Sequence, residues 1–523
     1  MSEPTKVTYA TLTADNEELH GKLDAAVEQV RTELGQTHPL TVGDTPRRDR
    51  PTFANHSPID TRVALGHYSA GTSDDVDEAV ARAKAAFPAW RALPFEERAK
   101  RLDRAAELIR ERLYELTAWL IFENGKNRVE ALGEIEETAD LILYYNNEMR
   151  KAGGYINEMD RLDAADTNTS VMRPYGVWAV ISPWNFPYAL AAAPAAAALL
   201  TGNTVIMKPA SETPMSGVLL IQIFRDAGIP ADAIHMITGG GRSVGQALVS
   251  HRDVDGITFT GSYDVGFNQI YRGFATRFPK PCITEMGGKN PAIVMASADL
   301  ERAVSGVYRS AFGMNGQKCS ACSRVYVHRD LKDAFLAALI AKTETTAIGD
   351  PLVDRQAFMG PVSLRSGFED FRRFAAQARA DGQIVAGGEV ISAGDFAHGY
   401  FVQPTLVTGL GEEHALVRDE LFVPLLCVQE ISSFDEAIDK ANNTPYGLTA
   451  GCFSQDPKQV EAFLDRIEAG VVYVNRAAGA TTGAWPGVQP FGGWKGSGSS
   501  GKNIGGLHSL GPYLREQSRT VTR

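Results

Sequence analysis

Cys319 and Cys322 form a CxxC pair, and their type and spacing allow several distinct chemistries. The pair could be half of a zinc site, but no second pair or histidine cluster lies in range. It could also be a thioredoxin-like redox motif, although it lies deep in the chain. The third interpretation is one nucleophilic cysteine, which needs a lowered pKa and a nearby base. Composition alone does not choose between the two thiols.

Polar side chains that could bind a ligand or catalyse a reaction follow three predicted strands. Asn185 lies in the segment Pro183–Pro187, and Lys208 directly precedes a proline. Glu285 is followed by one methionine and then by two glycines. An asparagine amide can stabilise an oxyanion, a lysine can bind a ribose or a phosphate, and glycines let a ligand approach the backbone. Taken singly, the first two segments are more typical of ordinary turns. Glu285 is equally compatible with a turn that carries a surface carboxylate.

Two glycine clusters are weak candidates for phosphate binding. The run Gly239–Gly241 followed by Gly245 is one residue too long for the GxGxxG fingerprint. Gly261 and Ser262 follow another predicted strand and precede a helix, whose N-terminus could hold a phosphate.

The elements that must position these residues are short strands that alternate with helices. This alternation predicts a parallel sheet with βαβ crossovers, and ligands bind at the C-terminal ends of such strands. A second α/β domain is expected after residue 290. Upstream, a capping box at Thr72–Asp75 opens a helix, and a long amphipathic helix is predicted over 96–123. The predicted strands are 177–182, 204–207, 234–237, 257–260, 291–295 and 324–328, and the helices between them lie near 187–200, 214–226, 243–250 and 299–312.

Length and composition limit the class of protein. A chain of 523 residues predicts two or three domains. A net charge of -11 argues against nucleic-acid and membrane partners. Five cysteines, an odd number, indicate reduced thiols and a cytoplasmic protein, and the N-terminal segment does not resemble a secretion signal. The longest apolar run, Tyr188–Leu200, is too short to span a bilayer. No metal site is expected.

Taken together, these segments resemble the aldehyde dehydrogenase family. The resemblance covers roughly residues 40 to 520, and its strength lies in the order of the motifs rather than in any one of them. In chain order the motifs are Ile181–Pro187, Lys208-Pro209, Phe259–Ser262, Glu285–Lys289, Gly316–Cys319, Glu420–Phe422 and Gln489–Gly493.

The resemblance implies oxidation of an aldehyde to an acid by a cysteine nucleophile. Cys319 would form a thiohemiacetal and then a thioester, Asn185 and the Cys319 N–H would form the oxyanion hole, and Glu285 would activate water. The implied cofactor is NAD, with NADP tolerated because Ser211 stands where NAD-selective relatives often carry glutamate. The implied cofactor-binding residues are Ser182, Trp184, Lys208, Ser211, Gly241, Gly245, Gly261, Ser262, Glu420 and Phe422.

Within the family, the segments 33–40, 317–324 and 482–493 resemble enzymes of proline catabolism that oxidise L-glutamate γ-semialdehyde. The resemblance implies that Ser320, Gly483 and Ala484 hold the substrate α-carboxylate and that Glu137 lies near its ammonium group. Phe186 and Phe491 complete the implied substrate site. Two segments depart from the pattern and weaken the substrate assignment. They are 505–510, which lacks an expected Gly-Gly-Pro, and 478–480, which carries unusually small side chains.

Three alternatives remain open. Another semialdehyde, such as succinic semialdehyde, would need an arginine in the pocket, and Arg476 is the local candidate. A CoA-acylating enzyme would not need Glu285. A non-enzymatic structural or binding protein would not need Cys319, Glu285 and Asn185.

The resemblance also implies the fold: a Rossmann-type cofactor domain, an α/β catalytic domain and a small β flap for oligomerisation. We expect the cofactor domain at 1–152 and 173–286, and the catalytic domain at 287–480. The flap is expected at 153–172 and 500–523, where it would add strands to a neighbouring subunit in a homodimer or larger homo-oligomer.

Overall fold

The secondary structure follows the predicted alternation in the part of the chain that the structure describes, residues 16–275, 278–480 and 483–523. The structure is a computed structural model. The helices are α1 (Glu17–Arg31), α2 (Ser73–Ala92), α3 (Phe95–Glu111), α4 (Leu113–Asn124), α5 (Arg128–Lys151), α6 (Ala189–Leu200), α7 (Pro214–Asp226), α8 (Gln246–Ser250), α9 (Arg272–Phe274), α10 (Leu300–Phe312), α11 (Arg329–Glu344), α12 (Arg365–Asp381), α13 (Ala415–Arg418), α14 (Phe434–Asn442) and α15 (Pro457–Arg466).

The strands are β1 (Gln36–His38), β2 (Leu40–Val42), β3 (Thr45–Arg47), β4 (Thr52–His56), β5 (Ala64–Ser69), β6 (Ile156–Glu158), β7 (Asp166–Pro174), β8 (Val177–Ile181), β9 (Thr204–Lys208), β10 (Ile234–Met236), β11 (Gly256–Thr260), β12 (Cys282–Glu285), β13 (Asn290–Val294), β14 (Cys322–His328), β15 (Gln383–Ala386), β16 (Thr405–Thr408), β17 (Leu425–Ile431), β18 (Tyr446–Gly447), β19 (Thr449–Phe453), β20 (Val471–Val474), β21 (Trp494–Lys495) and β22 (Leu514–Thr522). The six predicted strands occur as β8, β9, β10, β11, β13 and β14, with ends that differ by one or two residues, and further strands are present.

A five-stranded parallel sheet, in the order β10-β9-β8-β11-β12, forms the first α/β layer. Successive residues of β8 face opposite sides of this sheet, as strand geometry requires. Val177 and Ala179 pack with α2 on one face, whereas Trp178 and Val180 pack with α6 on the other. Burial on both faces explains why these strands are continuously apolar and why the polar residues start only at their ends.

A seven-stranded sheet, in the order β15-β16-β17-β14-β13-β19-β20, forms the second α/β layer. It is parallel except at its edge, where β15 runs antiparallel to β16. Helix α10 packs on it through Ala303, Val307 and Ala311, which lie at helical spacing.

The helix predicted over 96–123 is two helices in the structure. Helix α3 ends at Glu111 and α4 begins at Leu113, with Arg112 between them at φ -100° and ψ 17°. Helix α3 buries one face, but α4 is buried all round. The non-helical backbone at Arg112 separates the two helices at the point where burial of one face gives way to burial of most side chains. The capping box at Thr72 is present as predicted.

A separate three-stranded antiparallel sheet has the order β22-β7-β6. Strand β22 pairs with β7 from Leu514 to Thr522. We expected the C-terminal part of the flap to begin at residue 500, but the residues just before β22 lie in the core. There Tyr513 packs on Trp178 with ring centroids 4.6 Å apart. In the described residues, no helix is both long and apolar enough to cross a bilayer.

Candidate active site

A cleft of about 490 Å³ opens at the carboxyl ends of β8, β9 and β11. Its walls include the predicted nucleophile Cys319 and the predicted oxyanion donor Asn185. The parallel sheet explains this convergence, because the strand ends meet at one edge. All ten residues predicted for the cofactor line the same cleft: Ser182, Trp184, Lys208, Ser211, Gly241, Gly245, Gly261, Ser262, Glu420 and Phe422.

Two ionisable groups of opposite sign line the cleft. Lys208 ends β9, and its Nζ donates to the Pro209 carbonyl at 3.1 Å. Burial lowers the pKa of this ammonium group, and the charge of Glu212 opposes that shift. The carboxylate Oε1 of Glu420 accepts a hydrogen bond from the Gly288 N–H at 3.0 Å. Burial raises the pKa of Glu420 to about 7.

The glycines of the cleft allow close approach of backbone and side chains. A Cβ at Gly287 would overlap the Glu420 carboxylate, whereas a Cβ at Gly245 would make only an ordinary contact, 3.7 Å from Cε of Lys208. The helical segment 264–271 begins just after Ser262, whose hydroxyl accepts from the Val265 N–H at 3.4 Å. Such a helix N-terminus offers unpaired N–H groups to an anion.

Cys319 follows a strained loop. Three consecutive residues, Met314, Asn315 and Gly316, have φ values of 48°, 57° and 66°. Left-handed backbone at non-glycine residues costs on the order of 1–3 kcal/mol and persists only where surrounding contacts hold it. Here Asn315 donates to the Gly360 carbonyl at 2.8 Å, and Asn290 Nδ2 donates to the Cys319 carbonyl at 2.6 Å.

Burial dominates the electrostatics of the nucleophile. It raises the pKa of the Cys319 thiol to about 12, and the charges of Glu420 and Glu285 add to this shift. Backbone hydrogen bonds from Ser320 and from Cys319 itself oppose it. The thiol of the free protein is therefore protonated at neutral pH, so the reaction needs a group that takes its proton.

Asn185 is fixed in position by a hydrogen bond of its own side chain and by contacts of the residues on both sides of it in the sequence. Its Nδ2 donates to the Gln317 carbonyl at 3.0 Å, which leaves one N–H of the same amide for a ligand. Asn124 donates to the Trp184 carbonyl at 2.8 Å. Glu134 accepts from the Tyr188 N–H at 2.9 Å.

Glu285 is the last residue of β12, and it is buried. Its Oε2 accepts from the Gly493 N–H at 3.1 Å. Burial raises the pKa of the carboxyl to about 8, and the Gly493 hydrogen bond partly offsets the shift. Glu285 is not among the described residues that line the cleft, but its charge acts on the Cys319 thiol. A buried carboxyl with a pKa near working pH suits a general base.

The other cysteines have structural positions. Cys322 begins β14, and its thiol donates to the Arg324 carbonyl at 3.5 Å. All five cysteines are free thiols. Across 16–275, 278–480 and 483–523, no three histidine, cysteine or acidic side chains are grouped as metal ligands.

None of the six residues predicted for the substrate is among the described residues that line the cleft. Ala484 and Phe491 belong to the apolar cluster against which Cys319 packs. Phe186 is buried, and Lys126 Nζ lies 3.7 Å from its ring centroid. Ser320 is buried, and within the described residues its hydroxyl has no hydrogen-bond partner.

One predicted contact needs correction. We expected the Ala484 N–H to be open to a substrate carboxylate and Glu137 to be open to an ammonium group. In the structure, the Ala484 N–H donates to Oε1 of Glu137 at 2.6 Å, so each of these groups already binds the other. The two residues are 347 positions apart, and sequence spacing cannot show such a contact.

Sequence reasoning missed several residues of the cleft. Most lie within two residues of a predicted residue in the sequence, so the immediate neighbours of each motif were the signal that could have indicated them. The missed residues are Ile181, Pro183, Leu190, Ala210, Glu212, Gln246, Val249, Phe259, Thr260, Val265, Gln269, Ile270, Met286 and Gly287.

Comparisons with known proteins agree with this geometry. The sequence model of the aldehyde dehydrogenase family matches residues 45–518. The chain is 36% identical over 503 residues to 1-pyrroline-5-carboxylate dehydrogenase of Geobacillus kaustophilus, with 95% of each chain covered. It is 37% identical over 500 residues to the enzyme of the same name from Bacillus cytotoxicus, again with 95% of each covered.

Solved structures show the same fold. The 1-pyrroline-5-carboxylate dehydrogenase of Thermus with bound NAD superposes with a TM-score of 0.93 at 32% identity, with 100% of both chains covered. Lactaldehyde dehydrogenase of Escherichia coli gives 0.87 at 30% identity and covers 94% of this chain and 100% of its own. The family match spans most of the sequence and includes every element of the cleft: this chain belongs to the aldehyde dehydrogenase family.

Proposed function

We propose that this protein oxidises L-glutamate γ-semialdehyde, the open form of 1-pyrroline-5-carboxylate, to L-glutamate with NAD, as in proline catabolism. The observation that supports this choice of substrate is the buried hydroxyl of Ser320, the residue after the nucleophile. This hydroxyl has no hydrogen-bond partner among the described residues. A buried hydroxyl without a partner is costly, and a substrate carboxylate would supply the missing acceptor. The names of the Geobacillus and Bacillus relatives point to the same substrate.

The chemistry begins at Cys319. Its thiol gives up its proton to solvent water in the open cleft as the sulfur adds to the aldehyde carbon. The remaining N–H of Asn185 and the Cys319 N–H stabilise the oxyanion of the thiohemiacetal. Bound NAD supplies the hydride acceptor that turns this adduct into a thioester. Glu285 then takes a proton from water, and the hydroxide formed hydrolyses the thioester.

The cleft fits a dinucleotide. Its volume of about 490 Å³ lies within the usual range for ligand sites. Lys208 and Glu420 are suited to ribose hydroxyls, because an ammonium donates hydrogen bonds and a carboxylate accepts them. The helix N-terminus after Ser262 is suited to the pyrophosphate.

We expect a modest preference for NAD over NADP. Ser211 donates to the Gly239 carbonyl at 3.2 Å, and Glu212 lines the cleft beside it. Ser211 carries no charge to repel a 2′-phosphate, although Glu212 supplies some repulsion. The ratio of kcat/KM for the two cofactors measures the preference. A ratio above about a thousandfold in either direction would show that another residue sets the choice.

The substrate proposal is tested with a panel of aldehydes. We expect L-glutamate γ-semialdehyde to exceed butanal by more than about a hundredfold in kcat/KM, because hydrogen bonds to a charged group contribute about 1.5–3 kcal/mol each. Succinic semialdehyde is the second comparison. Equal turnover of either comparison compound would leave only the general aldehyde dehydrogenase activity.

Arg476 favours the amino-acid substrate over a simple semialdehyde. Its Nη1 donates to Gln489 Oε1 at 3.0 Å, and its guanidinium lies over the Trp485 ring at 5.5 Å. An arginine engaged in these contacts supports the loop rather than offering a free charge to a lone carboxylate.

We further infer that the flap, β22-β7-β6, contacts a second copy of the chain in a homo-oligomer. Apolar side chains that a monomer would leave in water are exposed on it: Ile156 at 62%, Met159 at 52%, Leu162 at 103% and Val521 at 51%. Light scattering should give at least twice the mass of one chain. Ile156→Asp combined with Val521→Asp should lower that mass while the monomer stays folded. A wild-type monomer would contradict the inference.

A further inference from the structure

One face of helix α5 carries three carboxylates that each hold a different loop of the active site. Glu130, Glu134 and Glu137 follow the spacing i, i+4, i+7, which places them on one side of a helix. Glu130 accepts from the Met314 N–H at 3.1 Å, and Glu134 accepts from the Tyr188 N–H at 2.9 Å. Glu137 accepts from the Ala484 N–H at 2.6 Å. One rigid helix thus sets the relative positions of three separate loops.

Each of these loops carries a residue of the proposed mechanism. Met314 belongs to the strained loop that leads to Cys319, and Tyr188 follows the Asn185 segment. Ala484 lies in the loop to which we assign part of the carboxylate site. Charge-assisted hydrogen bonds from backbone N–H groups are short and directional, so they fix a loop more firmly than apolar packing does.

The loop that contains Ala484 is also held at a second point, by helix α10. The Ala480 N–H donates to the Ser310 hydroxyl of α10 at 2.6 Å. Gly479 just before it has φ 72°, in the left-handed region that favours glycine. The loop is therefore attached to α10 at residue 480 and to α5 at residue 484.

Glu137 is poorly suited to bind a substrate ammonium while it holds this loop. The side chain is 8% exposed, and one carboxylate oxygen already accepts the Ala484 N–H. A Cβ added at Gly483 would overlap the same carboxylate, so the loop backbone lies directly against it.

We propose that Glu137 is a positioning residue, whose carboxylate accepts the Ala484 N–H and thereby holds in place the loop that forms part of the substrate-carboxylate site. This inference rests on the proposed function, since it assumes a substrate with a carboxylate at that loop. It assigns the effect of Glu137 to the loop and not to the amino group of the substrate.

The experiment compares two aldehydes that carry the same carboxylate at the same distance. L-Glutamate γ-semialdehyde has an amino group, and glutarate semialdehyde lacks it. Glu137→Gln keeps an oxygen that can accept the Ala484 N–H, so we expect KM within about threefold of wild type for both aldehydes. Glu137→Leu removes the acceptor, so we expect KM to rise about tenfold or more for both. The kcat/KM for butanal should stay within about twofold in each variant.

Two further variants make the comparison independent of folding. Glu136→Gln is the matched control, because Glu136 is adjacent to Glu137 but pairs with Arg110 at 3.1 Å. The KM values of this variant should equal those of the wild type for both aldehydes. Gly483→Ala should displace the Glu137 carboxylate without changing the sequence of α5, and it should reproduce the KM pattern of Glu137→Leu. It replaces Glu137→Leu if that variant does not fold.

The outcomes separate the two roles. If Glu137→Gln raises KM for L-glutamate γ-semialdehyde alone, the carboxylate binds the ammonium group and the proposal is wrong. Unchanged KM values in both Glu137→Leu and Gly483→Ala would also overturn it. Failure of the proposed function shows instead in the wild-type protein, as no preference for either carboxylated aldehyde over butanal.

Discussion

Cys319→Ala is expected to lower NADH formation by roughly four orders of magnitude or more, because removal of a nucleophile removes the covalent route entirely. Cys319 is the only cysteine among the described residues that lines the cleft. Alanine fills nearly the same space, so the protein should fold and bind NAD. Steady-state NADH absorbance measures the first effect, and titration of bound cofactor measures the second.

Cys322→Ala is the matched control for this variant. Cys322 lies three residues further on, in β14, with its thiol directed to the Arg324 carbonyl. We expect it to keep most of the wild-type activity. Equal loss of activity in the two variants would show that the nucleophile is misassigned.

Glu285→Gln is expected to slow turnover by about 10²–10⁴-fold, the usual contribution of a general base. Glutamine can still accept the Gly493 N–H, so the local structure should persist. Formation of the thioester does not require water activation. A stopped-flow trace should therefore show a rapid burst of close to one NADH per active site, followed by slow steady-state formation of NADH as the thioester is hydrolysed. A trace with no burst would indicate that Glu285 acts before hydrolysis or that another group is the base.

The pH dependence of turnover gives a separate check on Glu285. Burial raises the pKa of this carboxyl to about 8. Below that pH the carboxyl is neutral and cannot accept a proton, so the rate of hydrolysis should rise as pH increases through about 8 and then level off. Glu285→Gln should lack this rise. A wild-type rate that falls over the same range would contradict the assignment.

The sequence predicted the fold class and 12 of the 26 described residues that line the cleft, among them all ten assigned to the cofactor. Strands and helices follow local patterns of apolar residues, and parallel strands place their carboxyl ends at one edge. Motifs that follow β8, β9 and β11 therefore had to converge, and the structure brings Asn185, Lys208 and Ser262 to one cleft. The order of the motifs also indicated the family, which the comparisons confirm.

The tertiary structure decided what depends on which surfaces meet. The contact between Glu137 and Ala484 joins residues 347 positions apart, and it changes the role that the sequence suggested for both. The pKa of Glu285 depends on its burial, and the break between α3 and α4 at Arg112 appears only in the structure. Local spacing encodes periodicity and turns, whereas desolvation and long-range hydrogen bonds arise only when distant segments pack together.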